Sequence, residues 1–593
     1  MLSANRTVTL PADGVTVGFL GLGDAKGVAN SGKITMSGGS ITYSAPGTNA
    51  WLRFAGKSSR EKSNVIFAAT VTNSFESSTD LDFMGQVGPT TTWKAMEIPA
   101  DVVVRTVRGK YESNWYGGFT FDGALLGEGT LQFTADCFNT FNSGVKNFRG
   151  TVDLVRGSSG SANDAAGVNF RFGELPQARE LIVHGTYGQN GKCAFFESGH
   201  GFSAGPAQKV GVFPAHVTLT GGRLNLGAPG NGTAPGDYRY AITNLHLRGP
   251  MGLIDVVNLT RNGTMYGVTT TVFNVDVPFG PTEYMSCKDP AKLRLPTSPE
   301  GAVALDDSRE ILPYFHASDR LQRIYRDRET GFCYQATPSV VFTNAWPTGD
   351  GGDVSAYFYY RNGTFTMGSG MNFDALMITR AGYGTVSVKF GEPNLRMGIS
   401  SGCLSLNTET TLGPLSEANS ASAVIGFGRR AYVPVLSTST IGAKLSGDQG
   451  LVKSGDGKLV LGGDSSETLS GGVAVNCGTL TLGAAGYPAD LGANDIAIYA
   501  GATLEVVELK SSKSRRATVD FVDEPLFGAY GKVTLPDGTV QCYKMRVNGV
   551  AQTRGTYGAT GSGAQFIDDD HFTGPGILSV RSDDHQGFII LLR

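Results

Sequence analysis

The sequence has little charge and no long apolar run. Aspartate, glutamate, lysine and arginine together make up 17% of its 593 residues, and the formal net charge is only −3. This balance argues against the basic surface that nucleic-acid-binding proteins use, so we predict no nucleic-acid partner. No stretch of about 18 apolar residues occurs, and we therefore expect no membrane-spanning segment.

Motifs for common catalytic and metal sites are also missing. The seven cysteines have no CxxC spacing, and the seven histidines have no HxH or HExxH spacing, so neither a zinc motif nor a thiol-redox motif is present. The sequence has no GxSxG nucleophile turn and no phosphate-binding glycine loop. We therefore predict no catalytic residue, no metal site and no cofactor.

Glycine, in contrast, is abundant. It accounts for 83 residues, and 40% of the chain is hydrophobic, which suits a protein with many turns and much apolar surface to bury. Short runs rich in β-branched and aromatic residues, such as Glu180–His184, His216–Thr220 and Thr385–Lys389, are separated by turn-forming residues. The pattern continues through most of the chain, which favours one long all-β solenoid over a series of sandwich domains.

The clearest internal repeat lies between residues 441 and 507. Its unit is a strand, a glycine, and a second strand in which aliphatic and polar residues alternate. Leu459 and Leu461 are two residues apart, and so are Leu480 and Leu482. Side chains at that spacing lie on the same face of a strand, so we expect each pair to face the interior and to stack on the next pair.

Three parts of this segment resemble a known family. Gly450–Leu459, Gly471–Val475 and Gly478–Gly483 match successive stretches of the autotransporter-associated β-strand repeat: one with glycines and a lysine, one Gly-Gly-x-x-Val, and one Gly-Thr-Leu-x-Leu-Gly. The resemblance implies a right-handed parallel β-helix in a bacterial protein that is secreted or held at the cell surface. Crossover connections between parallel strands are also predominantly right-handed.

The C-terminal region resembles a second group. Gly555–Gly561, Ile567–Phe572 and Gly576–Val580 are similar to the tail of repeat-rich surface proteins from Verrucomicrobia-type bacteria. Too few residues follow the repeat for the membrane barrel of an autotransporter, and the N-terminus has no signal-peptide pattern. We therefore expect an exported protein whose signal peptide has been removed, and which is secreted or anchored by other means.

The sequence divides into four parts. Residues 1–275 and 338–510 are predicted to be β-solenoid, and residues 511–593 a β-rich C-terminal cap. Between the two solenoid parts, residues 276–337 contain several prolines and break the strand rhythm. We predict an irregular excursion or seam there, with a short helix at Ser318–Arg328 that begins on its N-cap serine.

Trp346, Asp350 and Asp353 are the best candidates for a ligand-binding site. Carboxylates beside aromatic side chains suit a sugar, because an apolar ring face can stack while hydroxyl groups form hydrogen bonds. Two other interpretations stay open: an acidic turn whose aspartates bond their own backbone, which is the preferred one, and a catalytic carboxylate pair. The run Asp568–His571 is interpreted as a solvated turn in preference to a metal site.

Three functions are compatible with these observations. The leading hypothesis is a non-enzymatic protein, structural or adhesive, that is extracellular or on the surface of a bacterium. Its partners would be surface glycans or other cell-surface and matrix proteins. One alternative is a polysaccharide lyase or glycoside hydrolase on the same scaffold, with its site near Asp350 and Asp353. The other is a glycan-binding module without turnover.

Overall fold

The chain is essentially all-β. The computed structural model describes residues 363–582 with gaps at 381–384, 511–516 and 524–528, and before residue 363 it describes the strands given below and short segments beside them. Strands make up 56% and helix 1%, with a 3₁₀ turn at Pro290–Lys292. Among these described residues, no helix is long and apolar enough to cross a membrane.

The chain forms two compact units, and it passes from one to the other several times between Val277 and Tyr334. The first unit comprises Met1–Val277, Met285–Glu300 and Thr330–Cys333. The second unit comprises Pro278–Tyr284, Gly301–Glu329 and Tyr334–Arg593.

Strands β1 to β27 belong to the first unit. In chain order they are β1 (Arg6–Leu10), β2 (Val15–Val17), β3 (Phe19–Leu22), β4 (Ile34–Tyr43), β5 (Trp51–Phe54), β6 (Val65–Asn73), β7 (Thr79–Phe83), β8 (Thr91–Ile98), β9 (Val103–Arg108), β10 (Thr120–Phe121), β11 (Ala124–Gly127), β12 (Thr130–Phe133), β13 (Phe138–Phe141), β14 (Thr151–Leu154), β15 (Gly167–Phe170), β16 (Glu180–His184), β17 (Phe195–Glu197), β18 (Val210–Val212), β19 (His216–Thr220), β20 (Arg223–Gly227), β21 (Tyr238–Arg248), β22 (Gly252–Val257), β23 (Thr260–Arg261), β24 (Thr264–Met265), β25 (Val268–Asp276), β26 (Met285–Cys287) and β27 (Leu293–Arg294).

Three sheets of the first unit are built from parallel neighbours. One has the order β1-β4-β6-β8-β11, with β2 beside β4. A second runs β27-β25-β21-β19-β16-β14-β12-β9-β7, with β18 beside β21, and a third contains β10-β13-β15-β17-β20-β22-β26. In the second sheet, five fully buried side chains are in register on neighbouring strands and form one column of the core: Leu131, Val152, Leu181, Val217 and Leu245.

The remaining strands follow Glu300. They are β28 (Val303–Ala304), β29 (Arg309–Ala317), β30 (Gln322–Asp327), β31 (Cys333–Gln335), β32 (Val340–Phe342), β33 (Ser355–Tyr360), β34 (Gly363–Met367), β35 (Met371–Arg380), β36 (Val386–Phe390), β37 (Arg396–Leu406), β38 (Thr410–Leu412), β39 (Val424–Phe427), β40 (Ala431–Pro434), β41 (Ser439–Ile441), β42 (Lys444–Ser446), β43 (Leu451–Ser454), β44 (Lys458–Leu461), β45 (Val473–Val475), β46 (Thr479–Leu482), β47 (Ile496–Tyr499), β48 (Thr503–Val506), β49 (Thr518–Val522), β50 (Lys532–Thr534), β51 (Thr539–Cys542), β52 (Lys544–Val547), β53 (Val550–Ala551), β54 (Gly555–Gly558), β55 (Phe566–Ile567), β56 (Phe572–Thr573) and β57 (Ile577–Val580).

Two long sheets of the second unit are likewise mostly parallel, and the chain alternates between them. One runs β32-β33-β35-β37-β40-β43-β45-β47-β49-β52-β53, with β39 beside β37 and β42. The other runs β34-β36-β38-β41-β44-β46-β48-β50-β56. A separate four-stranded sheet, β51-β57-β54-β55, is formed by the C-terminal residues and is called the cap here together with β56.

The repeat between residues 441 and 507 supplies the interior of these sheets. Leu459 pairs with Leu480, and Leu480 pairs with Leu504, so identical side chains stack on three neighbouring strands. All three are at most 3% exposed, and Leu461 and Leu482 beside them are also buried. The two-residue spacing therefore correctly predicted the buried face.

The predicted helix at Ser318–Arg328 is wrong. Gln322–Asp327 is strand β30, which pairs antiparallel with β29. Glu310 and Arg326 are opposite each other in this hairpin, and their side chains form a 2.8 Å ion pair although they are 5% and 3% exposed. An extended strand brings these two charges together, and a buried charge without such a partner would be strongly destabilising.

Packing against the next strands also favours the hairpin over a helix. Ile311 and Tyr325 are directly opposite each other and form a buried cluster with Ala375 of β35 and Cys403 of β37. The helical spacing in the sequence placed apolar side chains on one face, whereas in the strand the consecutive residues Ile324 and Tyr325 point to opposite sides and both are buried. Tertiary contacts therefore decide the local structure here.

The repeat's lysine, Lys453, is fully buried at a turn. Its ammonium group donates hydrogen bonds of 2.5–2.7 Å to the carbonyl oxygens of Gly455, Gly457 and Cys477. Burial lowers the pKa of Lys453 to about 8. Gly478 has a positive φ of 62°, and a Cβ there would lie 2.5 Å from both the Lys453 ammonium and the Gly457 oxygen. The glycine and the lysine of the motif thus lie against each other in two neighbouring turns.

We predict that Lys453→Met destabilises this turn by roughly 2–4 kcal/mol, because three buried carbonyl groups lose their donor. Hydrogen exchange of peptides that cover 450–482 would measure the loss. Lys458→Met is the matched control five residues away. Its ammonium forms an ion pair with Glu505 while 39% exposed, so its removal should cost at most about 1 kcal/mol. Equal effects of the two substitutions would contradict this account of the motif.

Candidate functional site

Trp346 is a core residue of the second unit. Its side chain is 5% exposed and packs edge-on against Phe373, with ring centroids 6.1 Å apart. A buried indole does not support the predicted stacking on a sugar. Asp350 and Asp353 lie outside the described residues, so their ligand-binding role stays a prediction.

A different group of polar side chains lies together on the first unit. Three neighbouring strands, β16, β19 and β21, carry His184, His216 and His246. On each strand the residues that alternate with the histidine are buried apolar side chains, for example Val217 and Leu219 beside His216. The three histidines therefore lie on the side of this sheet opposite the core. We call this side the histidine face.

Side-chain contacts connect the exposed part of the histidine face. His216 Nδ1 lies 2.8 Å from His246 Nε2, and the two rings stack with centroids 5.1 Å apart. On the same face, toward the neighbouring strand β16, the Thr218 hydroxyl donates a hydrogen bond to Glu180 Oε1. A hydrogen bond between two imidazoles needs an unprotonated nitrogen as acceptor, so at least one of the two rings is neutral.

A buried carboxylate organises the neighbouring part of the face. Asp153, 8% exposed, accepts a 2.7 Å hydrogen bond from Gln132 Nε2, and its other oxygen lies 2.9 Å from His184 Nε2. Gln132 is itself 7% exposed. These residues come from three neighbouring strands of the sheet, β12, β14 and β16. Asp153 therefore connects the outer faces of these strands.

The histidine face offers hydrogen-bond donors and acceptors in a fixed arrangement. His216 is exposed, and Glu180 and His246 are half-buried, so these groups can contact a ligand. In the part of the chain that the structure describes, no three histidine, cysteine or acidic side chains are arranged to hold a metal ion. The arrangement is suited to binding a ligand rich in hydroxyl or amide groups.

The run Asp568–His571 differs from its prediction. Asp569 and Asp570 are exposed, as a solvated turn requires. His571 is 7% exposed, and each of its ring nitrogens contacts a carboxylate. The interpretation as a solvated turn is therefore wrong for His571.

The histidine face was missed because its residues are far apart in the sequence. The segments His216–Thr220 and 244–248 alternate polar and apolar residues, and Glu180–His184 has a polar residue at each end; this was the available signal. The alternation identifies the outward side chains of each strand. It does not reveal which strands are neighbours, so isolated histidines could not be grouped.

We predict that Asp153→Ala destabilises the region around β12, β14 and β16 by about 1–3 kcal/mol, because it leaves buried polar partners without the carboxylate. Hydrogen exchange of peptides from these strands measures the change. His216→Ala on the same face should stay within about 0.5 kcal/mol of the natural protein, because the side chain is exposed. Unchanged exchange in the Asp153 variant would show that the network contributes little.

Comparison of the chain with protein-family models, curated proteins and solved structures found no match. The resemblance to the autotransporter-associated repeat stays a prediction.

Proposed function

We propose that the chain is a secreted or cell-surface protein of a bacterium, built as a right-handed parallel β-helix, with a structural or adhesive role rather than an enzymatic one. The observation that carries the proposal is the parallel, in-register pairing of strands in both units. Such an array can grow by adding equal turns, and it presents rows of outward side chains at fixed spacing.

Pairing distances along the sequence support a coiled path. Val424 pairs with Lys444, and Leu480 pairs with Leu504, so one turn would take 20 to 24 residues in this part of the chain. Strands that return at this interval and in parallel are the pattern of a solenoid. The right-handed sense of the proposed coil follows from the general preference of parallel crossover connections.

A bend shared by successive strands supports the same path. Strand β21 pairs first with β18 and then with β19, so it passes the corner between them. At this corner the Asn244 side chain donates to the Ala215 carbonyl oxygen at 2.9 Å, and Asn274 donates to Asn244 Oδ1 at 3.1 Å. Asparagines stacked on neighbouring strands stabilise such a corner, because each amide satisfies groups of the adjacent strand.

The histidine face is the proposed adhesive surface. It combines exposed His216 with the Glu180 carboxylate and His246, all on neighbouring parallel strands. Strand backbones hold these groups at fixed spacing, so the protein loses little conformational entropy when a ligand binds. Surface glycans are the preferred partner, because they offer many hydroxyl groups to such donors and acceptors.

Labelling of intact cells tests the location. We expect an antibody against the chain to label unbroken cells of the natural source, or to detect the protein in the culture medium. External protease should remove the cell-bound signal while a cytosolic marker protein survives. Recovery of the protein only inside cells would overturn the proposal.

Glycan binding tests the role of the face. The triple variant Glu180→Ala, His216→Ala, His246→Ala should weaken binding on a glycan array by at least about tenfold, which is about 1.4 kcal/mol. The matched control is Lys389→Ala with Glu417→Ala, which removes an exposed 2.6 Å ion pair of the second unit. An array with no bound glycan would contradict the adhesive role, and cleavage of a bound glycan would favour an enzyme.

A further inference from the structure

His571 lies between two aspartates from different parts of the second unit. Its Nδ1 is 2.7 Å from Asp568 Oδ2, and its Nε2 is 2.8 Å from Asp523 Oδ2. Both carboxylates are held in place by the backbone. Asp523 Oδ1 accepts the Gly531 amide at 2.9 Å, and Asp568 Oδ1 accepts the His571 amide at 3.2 Å.

This geometry fixes the charge of His571. An ionised carboxylate can only accept hydrogen bonds, so both ring nitrogens must donate and the ring is an imidazolium cation. Burial alone would lower the pKa of His571, but the hydrogen bonds and charges of Asp523 and Asp568 outweigh burial and raise it above the ordinary value. The cation is flanked by two anions, of which Asp523 is buried and Asp568 is partly exposed.

Aromatic rings enclose the cation. The Phe521 ring centroid lies 4.5 Å from that of His571, and the Tyr530 centroid lies 5.6 Å away. Of the charged groups nearby, Asp523 and Asp568 are the ones that act on the His571 pKa. Among the described residues on the strands and loops around this site, other titratable or charged ones are Asp520, Tyr530, Lys532, Lys544, Arg546, Tyr557, Asp569 and Asp570.

The ion group connects the cap to the end of the long sheets. Asp523 directly follows β49, whereas Asp568 and His571 lie in the turn between β55 and β56 of the cap. Beneath the cap lies a cavity of about 50 Å³, lined by apolar side chains of both parts, among them Val519, Val533, Val540 and Leu578. Packing is incomplete at this boundary, so apolar contacts hold the cap less firmly than a filled core would. The ion group therefore matters more for keeping the cap in place.

We propose that Asp523, His571 and Asp568 form a pH-dependent latch, which holds the cap against the strands while His571 is charged and releases it when His571 loses its proton. In the neutral form one ring nitrogen becomes an acceptor and faces a carboxylate that is also an acceptor. The two aspartates then lie close to each other without a cation between them. Both changes favour separation of the cap from β49.

The direction of the pH effect follows from the raised pKa. The latch contributes its full stability below the unfolded-state pKa of histidine, about 6.5. That contribution is lost as the pH rises through the higher folded-state pKa of His571. The cap therefore opens toward alkaline pH, whereas the strands of the repeat keep their protection.

Hydrogen exchange of the full chain between about pH 6 and pH 9 tests the latch, after correction for the intrinsic exchange rate. We expect protection of cap peptides from 553–582 to fall by at least about tenfold across this range. Peptides from 441–507 serve as the internal reference and should not change. Cap protection that is independent of pH would overturn the proposal.

Two neighbouring aspartates provide matched variants. Asp568→Asn removes one anion from His571, so the midpoint of cap opening should move to lower pH. Asp569→Asn changes an exposed carboxylate that bonds Thr560 instead, and it should leave the midpoint unchanged. Equal shifts in both variants would contradict the latch.

A spectroscopic measurement identifies the titrating group directly. In protein labelled with ¹³C at the histidine rings, one signal should titrate above the others, at the pH at which the cap opens. The signal should be missing in His571→Gln. If that variant does not fold, the midpoint comparison of the two aspartate variants still decides. Titration of every histidine signal below the opening midpoint would overturn the proposal.

Discussion

Backbone hydrogen bonding between parallel neighbours is the constraint on which the structure depends. A strand inside one of these sheets must match both the strand before it and the strand after it, because its amide and carbonyl groups have no other partners. Once the register is fixed, side chains fall into columns. The column from Leu459 through Leu480 to Leu504 shows the result, with the same residue type buried three times. The outward columns are fixed by the same register.

Buried charges occur where this pairing ends or turns. Lys453 donates hydrogen bonds to buried carbonyl groups that converge on its ammonium group. Arg326 and Glu310 join the two strands of a hairpin, and His571 joins the cap to β49 through two aspartates. Lys453 satisfies backbone carbonyl groups, whereas in the other two cases buried or partly buried side chains of opposite charge satisfy each other at short range. These residues keep irregular elements attached to otherwise uniform sheets.

The outer faces of the sheets carry the polar side chains that can contact a ligand. Because the strands are parallel and in register, residues from distant parts of the sequence stand side by side at the spacing of the strands. His216 and His246 meet in this way, as do Gln132 and Asp153. The scaffold is thus a means of assembling polar groups in rows, and a surface of this kind can recognise an extended ligand at several positions at once.

The sequence alone determined the all-β class and the buried leucines of the repeat, because these depend on local composition and alternation. It placed Lys453 in a stretch that resembles a family repeat, but did not show what the lysine does. The hairpin at 309–327, the histidine face and the partners of His571 were decided by tertiary structure. In each of them the deciding contact joins residues on different strands, and only the register and the path of the chain bring those residues within hydrogen-bond distance.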